Sequence, residues 1–204
     1  MIETASWIDK PDAVLVAWLP GQEGGNSVAD ILTGKETPSG RLPMTWPVSY
    51  NDVPSKNDFP VPDEISEEML TESLKGFADV RTEGERKNFD VTTYNDGVYV
   101  GYRYYTTKNV PVSYPFGYGL SYTTFSYSGM KADKTENGDI WVTVTVKNTG
   151  KVSGKEVVQV YVSAPGKDMD KPARELKGFT KTRKLQPGES QTVSVSIPVS
   201  YTHL

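Results

Sequence analysis

The hydrophobic pattern at the start of the chain predicts one strand, loop and helix of an α/β layer. DAVLVAW at residues 12–18 is a continuous apolar run, which is typical of a parallel strand covered on both faces. Apolar residues then recur at helical spacing within residues 28–32, so a helix is expected there. Asn26 or Ser27 would cap this helix, and Gly34 suits its end.

The middle of the chain, residues 49–97, has few spaced apolar positions and many acidic ones. We interpret it as a long acidic surface excursion, with a short helix over residues 64–74. Segments of that length without regular structure are usually functional lids or mobile inserts.

The last third of the chain has a strand pattern. Apolar residues alternate with polar ones in residues 140–146, 158–162 and 193–197, so each stretch places its apolar residues on one face. Residues 148–154 and 185–190, which lie between them, are rich in turn formers. Several short alternating strands at this spacing predict an antiparallel β-sandwich.

Composition excludes several classes of function. The longest apolar run, residues 13–19, is far below the roughly 18 residues of a membrane span, so no membrane partner is expected. The net charge of -4 and the lack of a Lys/Arg cluster argue against nucleic-acid binding. Cysteine is absent, and the one histidine, His203, is next to last, so neither a catalytic triad nor a metal site is expected.

The glycine-rich turn after the first strand, GQEGG at residues 21–25, allows three interpretations. It could hold a phosphate at the helix N-terminus, but it matches neither G-x-x-x-x-G-K-[ST] nor G-x-G-x-x-G. Gly21, Gly24 and Gly25 could simply permit a tight turn. Gln22 and Glu23 could line a cleft at the strand's carboxyl edge, although Glu23 could equally be a favourable anion at the helix N-terminus.

Aromatic residues concentrate in residues 98–128. We interpret this stretch as a seam between two parts of the chain, because it lies where one pattern gives way to another. Stacking on sugar rings is the alternative, since tyrosine and tryptophan combine a large apolar face with a polar group.

Three segments, GQEGGNSVADILTGKETPSGRLPMTWP, VGYRYYTTKNVPVSYPFGYGLSYTTFSYS and NTGKVSGKEVVQVYVSAPGKDMDKPARELKGFTKTRKLQPGESQTVSVSIP, occur in this order. Together they resemble the C-terminal half of glycoside hydrolase family 3, the β-glucosidase and β-xylosidase type. The resemblance implies an α/β fragment at residues 1–120, which includes the excursion at 49–97. It further implies an all-β immunoglobulin-like, fibronectin type III-like sandwich at residues 121–204.

The resemblance also implies which chemistry this chain lacks. In the family an aspartate nucleophile lies on an N-terminal barrel domain, and a glutamate acid/base usually lies upstream of the strand leading to GQEGG. Neither has a matching position here, so no catalytic residue is assigned. Trp18, Gln22 and Glu23 are the candidates for lining the substrate cleft. No metal or organic cofactor is implied, because two carboxyl groups suffice for the reaction.

The expected function is therefore that of a C-terminal portion of a retaining β-glycosidase, acting on β-linked oligosaccharides or glycosides and inactive without its barrel domain. The parent is expected to be periplasmic or secreted, although no signal peptide is visible. The sequence is expected to depart from the family at both ends. Met1 falls in the middle of the α/β domain, without its earlier strands, and at the other end the sandwich stops before its last strands and SYTHL fits no family pattern. A stand-alone carbohydrate-binding or scaffolding module is the alternative.

Overall fold

A computed structural model describes residues 3–58, 94–165 and 169–201, which form an α/β portion followed by a β-sandwich. In the first portion, helix α1 spans Gly24–Leu32 and helix α2 spans Tyr102–Lys108. Strand β1, Trp46–Pro47, pairs antiparallel with strand β2, Val112–Tyr114. Short 3-10 helices lie at Tyr50–Asp52, Pro54–Asn57 and Val199–Tyr201.

The sandwich consists of two antiparallel sheets, as the alternating pattern predicted. Its strands are β3 (Phe125–Lys134), β4 (Ile140–Asn148), β5 (Val157–Val162), β6 (Glu175–Lys181) and β7 (Ser190–Ile197). Among the described residues the first sheet has the order β3-β4-β7, and the second pairs β5 with β6.

The core of the sandwich lies between these sheets. Val144 of β4 faces Val193 of β7 in register, and both pack with Val158 of β5. Leu185, from the loop before β7, is fully buried in the same cluster, and Phe125 of β3 packs against it. The apolar faces predicted for residues 140–146 and 193–197 are therefore confirmed.

The third predicted apolar face, on β5, is only partly formed. Val158 is buried, whereas Val160 and Val162 are half-buried. A β-bulge after Val160 shifts the pairing with β6 and changes the direction of the side chains beyond it.

A buried side chain, Asn148 at the end of β4, fixes the turn that follows. Its amide donates hydrogen bonds to the carbonyls of Val152 and Leu185, at 2.8 and 2.9 Å. Its side-chain oxygen accepts from the Thr123 hydroxyl at 2.7 Å and from the Gly150 N–H at 3.0 Å. The carboxamide is thus fully satisfied, which a buried polar group requires.

The predicted strand at residues 12–18 is wrong for this structure. The segment pairs with none of the described strands, and Val14 and Leu15 are 45% and 43% exposed. A continuous apolar run becomes a parallel strand only where neighbouring strands and covering helices bury both of its faces. No described element supplies them.

The start of α1 also differs from the prediction. Its N-cap is Glu23 rather than Asn26 or Ser27, and no side chain caps the backbone. Asn26 lies inside the helix and donates to the Glu23 carboxylate at 2.7 Å. The end of the helix was predicted correctly, because Gly34 follows the C-cap residue with a left-handed φ of +75°.

The predicted helix at residues 64–74, and most of the excursion at 49–97, lie outside the described residues. The described ends of the excursion are joined, since the Asn95 side chain donates to the Asp58 carboxylate at 2.9 Å. No helix in the described ranges is long and apolar enough to cross a membrane.

Candidate functional site

The glycine-rich turn is shaped by its backbone. Gly21 has a φ of +71°, a conformation that glycine adopts without strain. Gly24 is the first residue of α1, and a Cβ there would come within 2.6 Å of the Pro20 Cγ. Gly25 has open space around it. Two of the three glycines therefore have a structural reason to be there, which favours the tight-turn interpretation.

The three predicted cleft residues lie on the outside of this turn. Trp18 is 51% exposed and has a φ of +51°, which is rare for a bulky side chain. Gln22 and Glu23 are exposed, and Glu23 lies at the N-terminus of α1, where a negative charge is favourable. None of the three lines either of two cavities, of about 530 and 790 Å³, at the junction with the sandwich.

Helix α1 and the segment after it are tied to the sandwich by polar contacts. Three of these join positions far apart in sequence: Tyr122 Oη to the Ile31 carbonyl at 2.9 Å, Thr37 Oγ1 to the Ser153 carbonyl at 2.7 Å, and Lys184 Nζ to the Glu36 carboxylate at 3.0 Å. The sandwich thereby fixes the C-terminal end of α1, and through this helix it orients the glycine turn.

A fourth contact between the two portions is a buried ion pair. One guanidinium nitrogen of Arg41 contacts both carboxylate oxygens of Glu156, at 2.7 and 2.8 Å. The Val157 N–H also donates to this carboxylate, at 2.9 Å. Partial burial and then the negative charge of Glu156 raise the pKa of the Tyr127 hydroxyl to about 12.

The aromatic stretch at residues 98–128 forms the predicted seam. Tyr102 of α2 stacks on Phe116 with ring centroids 4.8 Å apart, and its edge meets Tyr161 of β5 at 5.9 Å. The hydroxyl of Tyr102 accepts a 2.6 Å hydrogen bond from the Leu176 N–H of β6. Aromatic contacts and one backbone hydrogen bond therefore join the α/β portion to the second sheet.

Five carboxylates among the described residues are neutralised in ion pairs. These pairs are Asp30–Lys35, Glu36–Lys184, Glu156–Arg41, Glu175 with Arg103 and Lys177, and Glu189–Arg183. No cluster of three or more His, Asp or Glu suitable for a metal ion occurs in the described part of the chain, and His203 lies outside it. The site therefore offers positioning and recognition groups rather than an evident catalytic pair.

Sequence reasoning missed the Arg41–Glu156 pair. Arg41 lies in a Pro/Gly segment and Glu156 just before an alternating strand, and the two are 115 positions apart. Neither position has a local signal that links it to the other. Only the folded junction brings them together.

Family comparisons agree with this two-part architecture. Residues 156–203 match the model of a fibronectin type III-like domain, and this range contains strands β5 to β7 of the sandwich. Residues 1–122, more than half of the chain, match the glycosyl hydrolase family 3 C-terminal domain. The chain belongs to glycosyl hydrolase family 3, and the resemblance identified from the sequence is confirmed.

Individual relatives match almost the whole chain. Beta-glucosidase B of Emericella nidulans is 41% identical over 95% of this chain and 21% of its own length. The exo-alpha-(1->6)-L-arabinopyranosidase of Bifidobacterium longum is 41% identical over 97% of this chain and 22% of its own. The structure of beta-glucosidase 3B from Thermotoga neapolitana in complex with glucose matches with a TM-score of 0.78 and 44% identity, over 97% of this chain and 24% of that one. The chain thus spans about a fifth of the curated relatives' length.

Proposed function

We propose that this chain is the C-terminal portion of a retaining β-glycosidase of the β-glucosidase type, which hydrolyses terminal non-reducing β-linked sugars. The observation that carries the proposal is the match to beta-glucosidase 3B at 44% identity along 97% of the chain. We further propose that the two portions divide near residue 120, as the sequence predicts.

The chemistry of such an enzyme needs two carboxyl groups about 5 to 5.5 Å apart across the sugar. One attacks the anomeric carbon, and the other protonates the leaving oxygen and then activates water. The paired carboxylates of this chain are held by lysine and arginine, which leaves them poorly suited to either role. We therefore assign both catalytic carboxylates to the missing part of the enzyme.

The contribution of this chain is a surface for that missing part. Val14, Leu15, Trp18 and Leu19 form an exposed apolar segment, with Leu19 99% exposed. Exposed apolar patches of this kind mark interaction sites. In the complete enzyme we expect this segment to contact the missing part, and Trp18, Gln22 and Glu23 to lie at the edge of the substrate cleft.

The unusual backbone of Trp18 supports this position. A φ of +51° costs energy for a bulky residue, and such strain persists where surrounding contacts impose it, often near ligand sites. In the described residues Trp18 is half-exposed, so the contacts that would impose this conformation are expected from the missing part.

The sugar specificity is expected to lie outside this chain. Relatives named as a β-glucosidase and as an arabinopyranosidase share the same 41% identity with it. A region that determined the sugar would be expected to distinguish the two. We also propose a secreted or periplasmic location for the parent, because polymeric glycans do not cross membranes.

The test is hydrolysis of chromogenic β-glucosides and β-xylosides by the purified 204-residue chain and by the same chain extended upstream through a barrel domain. We expect turnover by the extended protein only. Turnover by the short chain that persists through repurification would place a catalytic carboxylate within these residues and overturn the assignment.

A further inference from the structure

A second feature of the junction, separate from the glycine turn, is a cleft beside the aromatic seam. We call it the seam cleft; its volume is about 530 Å³. It lies between α2, the segment preceding β2, strand β5 and the segment preceding β6. Its lining includes Tyr102, Tyr105, Asn109, Phe116, Tyr161 and Arg174.

Two hydrogen bonds join the walls of the seam cleft. The Ala173 N–H donates to Thr107 Oγ1 at 2.9 Å, and the Leu176 N–H donates to the Tyr102 hydroxyl at 2.6 Å. The first bond joins α2 to the segment that precedes β6, and the second joins α2 to β6 itself. A cleft held in this way loses little conformational freedom when it binds a ligand, which favours binding.

Two polar side chains at the seam cleft have unused hydrogen-bonding capacity. The Arg174 guanidinium lies 5.5 Å from the centroid of the Tyr161 ring, and within the described residues no carboxylate pairs with it. The Asn109 side chain is exposed and has no hydrogen-bond partner in the same part of the chain. Asn109 ends α2 with a φ of +55°, so the helix terminus fixes its position.

These groups define the class of ligand. Aromatic rings offer apolar faces for the C–H bonds of a sugar ring, while an amide and a guanidinium offer hydrogen bonds to its hydroxyl groups. Ligand sites commonly combine a mostly apolar lining with a few placed polar groups in this way. A single cation does not match the charge of a polyphosphate or of an extended nucleic acid.

We propose that the seam cleft is a non-catalytic binding site for a neutral pyranose unit. It lies apart from Trp18, Gln22 and Glu23, none of which lines it. Its use is to hold a glycan at a point removed from the reacting bond, so that the enzyme stays close to an extended substrate. The choice of a β-glucoside as ligand rests on the proposed function, whereas the cleft itself does not.

The experiment is saturation-transfer difference NMR on the 204-residue chain, with methyl β-D-glucopyranoside and cellotriose as probes at up to about 10 mM. We expect saturation to pass to the ring C–H protons of the sugar. Asn109→Gly and Arg174→Gln should each weaken binding about threefold to tenfold, the range for loss of one hydrogen bond. Asn109→Gly should leave the fold intact, because glycine is favoured in the left-handed conformation that ends a helix.

Asn137→Gly is the matched control, since Asn137 is an exposed asparagine in the turn between β3 and β4 and does not line the seam cleft. It should bind both sugars like the unmodified chain. Absence of saturation transfer to the unmodified chain, or equal binding by all three variants, would overturn the proposal. Sugar binding by the chain together with an inactive extended protein would refute the proposed β-glucosidase function and leave the seam cleft standing.

Discussion

Arg41 and Glu156 form a buried ion pair across the junction of the α/β portion and the sandwich. The guanidinium contacts both carboxylate oxygens, at 2.7 and 2.8 Å, and only 14% and 9% of the two side chains are exposed. Arg41 follows α1 in the chain, and Glu156 immediately precedes β5. The pair thus fixes the segment that carries α1 against the first strand of the second sheet.

Arg41→Met should lower the free energy of unfolding by about 3 kcal/mol. The substitution leaves the Glu156 carboxylate buried without its cation, and breaking a buried pair from one side costs about 3 to 5 kcal/mol. Urea unfolding followed by circular dichroism measures this change. Lys184→Met, which breaks the exposed pair with Glu36, is the control and should cost less than about 1 kcal/mol. Equal losses in both variants would mean that the Arg41 pair is no more important than a surface contact.

Two buried threonines should stabilise the protein when their hydroxyl groups are removed. Thr4 and Thr45 are at most 7% exposed, and Oγ1 of each has no hydrogen-bond partner among the described residues. A buried hydroxyl without a partner costs about 1 to 3 kcal/mol. Thr4→Val and Thr45→Val should therefore each raise the melting temperature by about 2 to 12 °C, since 1 kcal/mol corresponds to about 2 to 4 °C in a chain of this size.

The same substitution at a third buried threonine, Thr182→Val, should have the opposite effect on the melting temperature. Thr182 is equally buried, but its hydroxyl accepts a 2.9 Å hydrogen bond from the Glu156 N–H. Removing the hydroxyl leaves a buried N–H unpaired, so the melting temperature should fall. A fall in all three variants would show that the hydroxyl groups of Thr4 and Thr45 have partners in solution.

The sequence predicted the sandwich well wherever burial alternates. Strands β4 and β7 bury every second residue, which is the signal that period-2 reasoning detects. Strand β3 was missed because nearly all of its residues are exposed, so its side chains show no alternation. Helix α2, YRYYTTK, was missed because it is short and consists largely of residues with modest helix propensity.

The candidate site was less predictable because its contacts are non-local. The apolar pattern of residues 12–18 indicates a buried strand, but burial requires neighbours that no described element provides. The polar contacts from α1 to the sandwich likewise depend on the packing of segments about a hundred positions apart, such as Ile31 with Tyr122. Local patterns contain no information on such pairs.

Tyr127 should make the stability of the protein fall at high pH. Partial burial and then the charge of Glu156 raise the pKa of its hydroxyl from 10.0 to about 12 in the folded chain. A raised pKa means that the folded state holds the proton more tightly, so this contribution is complete below pH 10 and is lost between about pH 10 and 12. Ultraviolet titration of tyrosine ionisation should show a late component that Tyr127→Phe reduces. Burial also raises the pKa of the Tyr105 and Tyr161 hydroxyls, so part of the late component should remain.

The same variant should flatten the decline in unfolding free energy over this pH range. Tyr122→Phe is the control, because Tyr122 donates to a backbone carbonyl and not to a carboxylate. An unchanged late transition in Tyr127→Phe would mean that another tyrosine is responsible for it.

Gly178 of β6 should not tolerate a methyl group, because the two sheets approach each other closely at this point. A Cβ at Gly178 would overlap Cγ1 of Val195, a buried residue of β7. Overpacking of this kind costs about 1 to 3 kcal/mol, so Gly178→Ala should lower the unfolding free energy by that amount.

Gly40→Ala is the matched control, since a Cβ at Gly40 meets no atom within 4 Å. It should be neutral or stabilise the protein by up to about 1 kcal/mol, because alanine restricts the unfolded chain. Shortening Val195 to Ala removes the atom that causes the overlap. The double variant Gly178→Ala/Val195→Ala should therefore be more stable than the sum of the single changes predicts, and strict additivity would show that the sheets do not meet here.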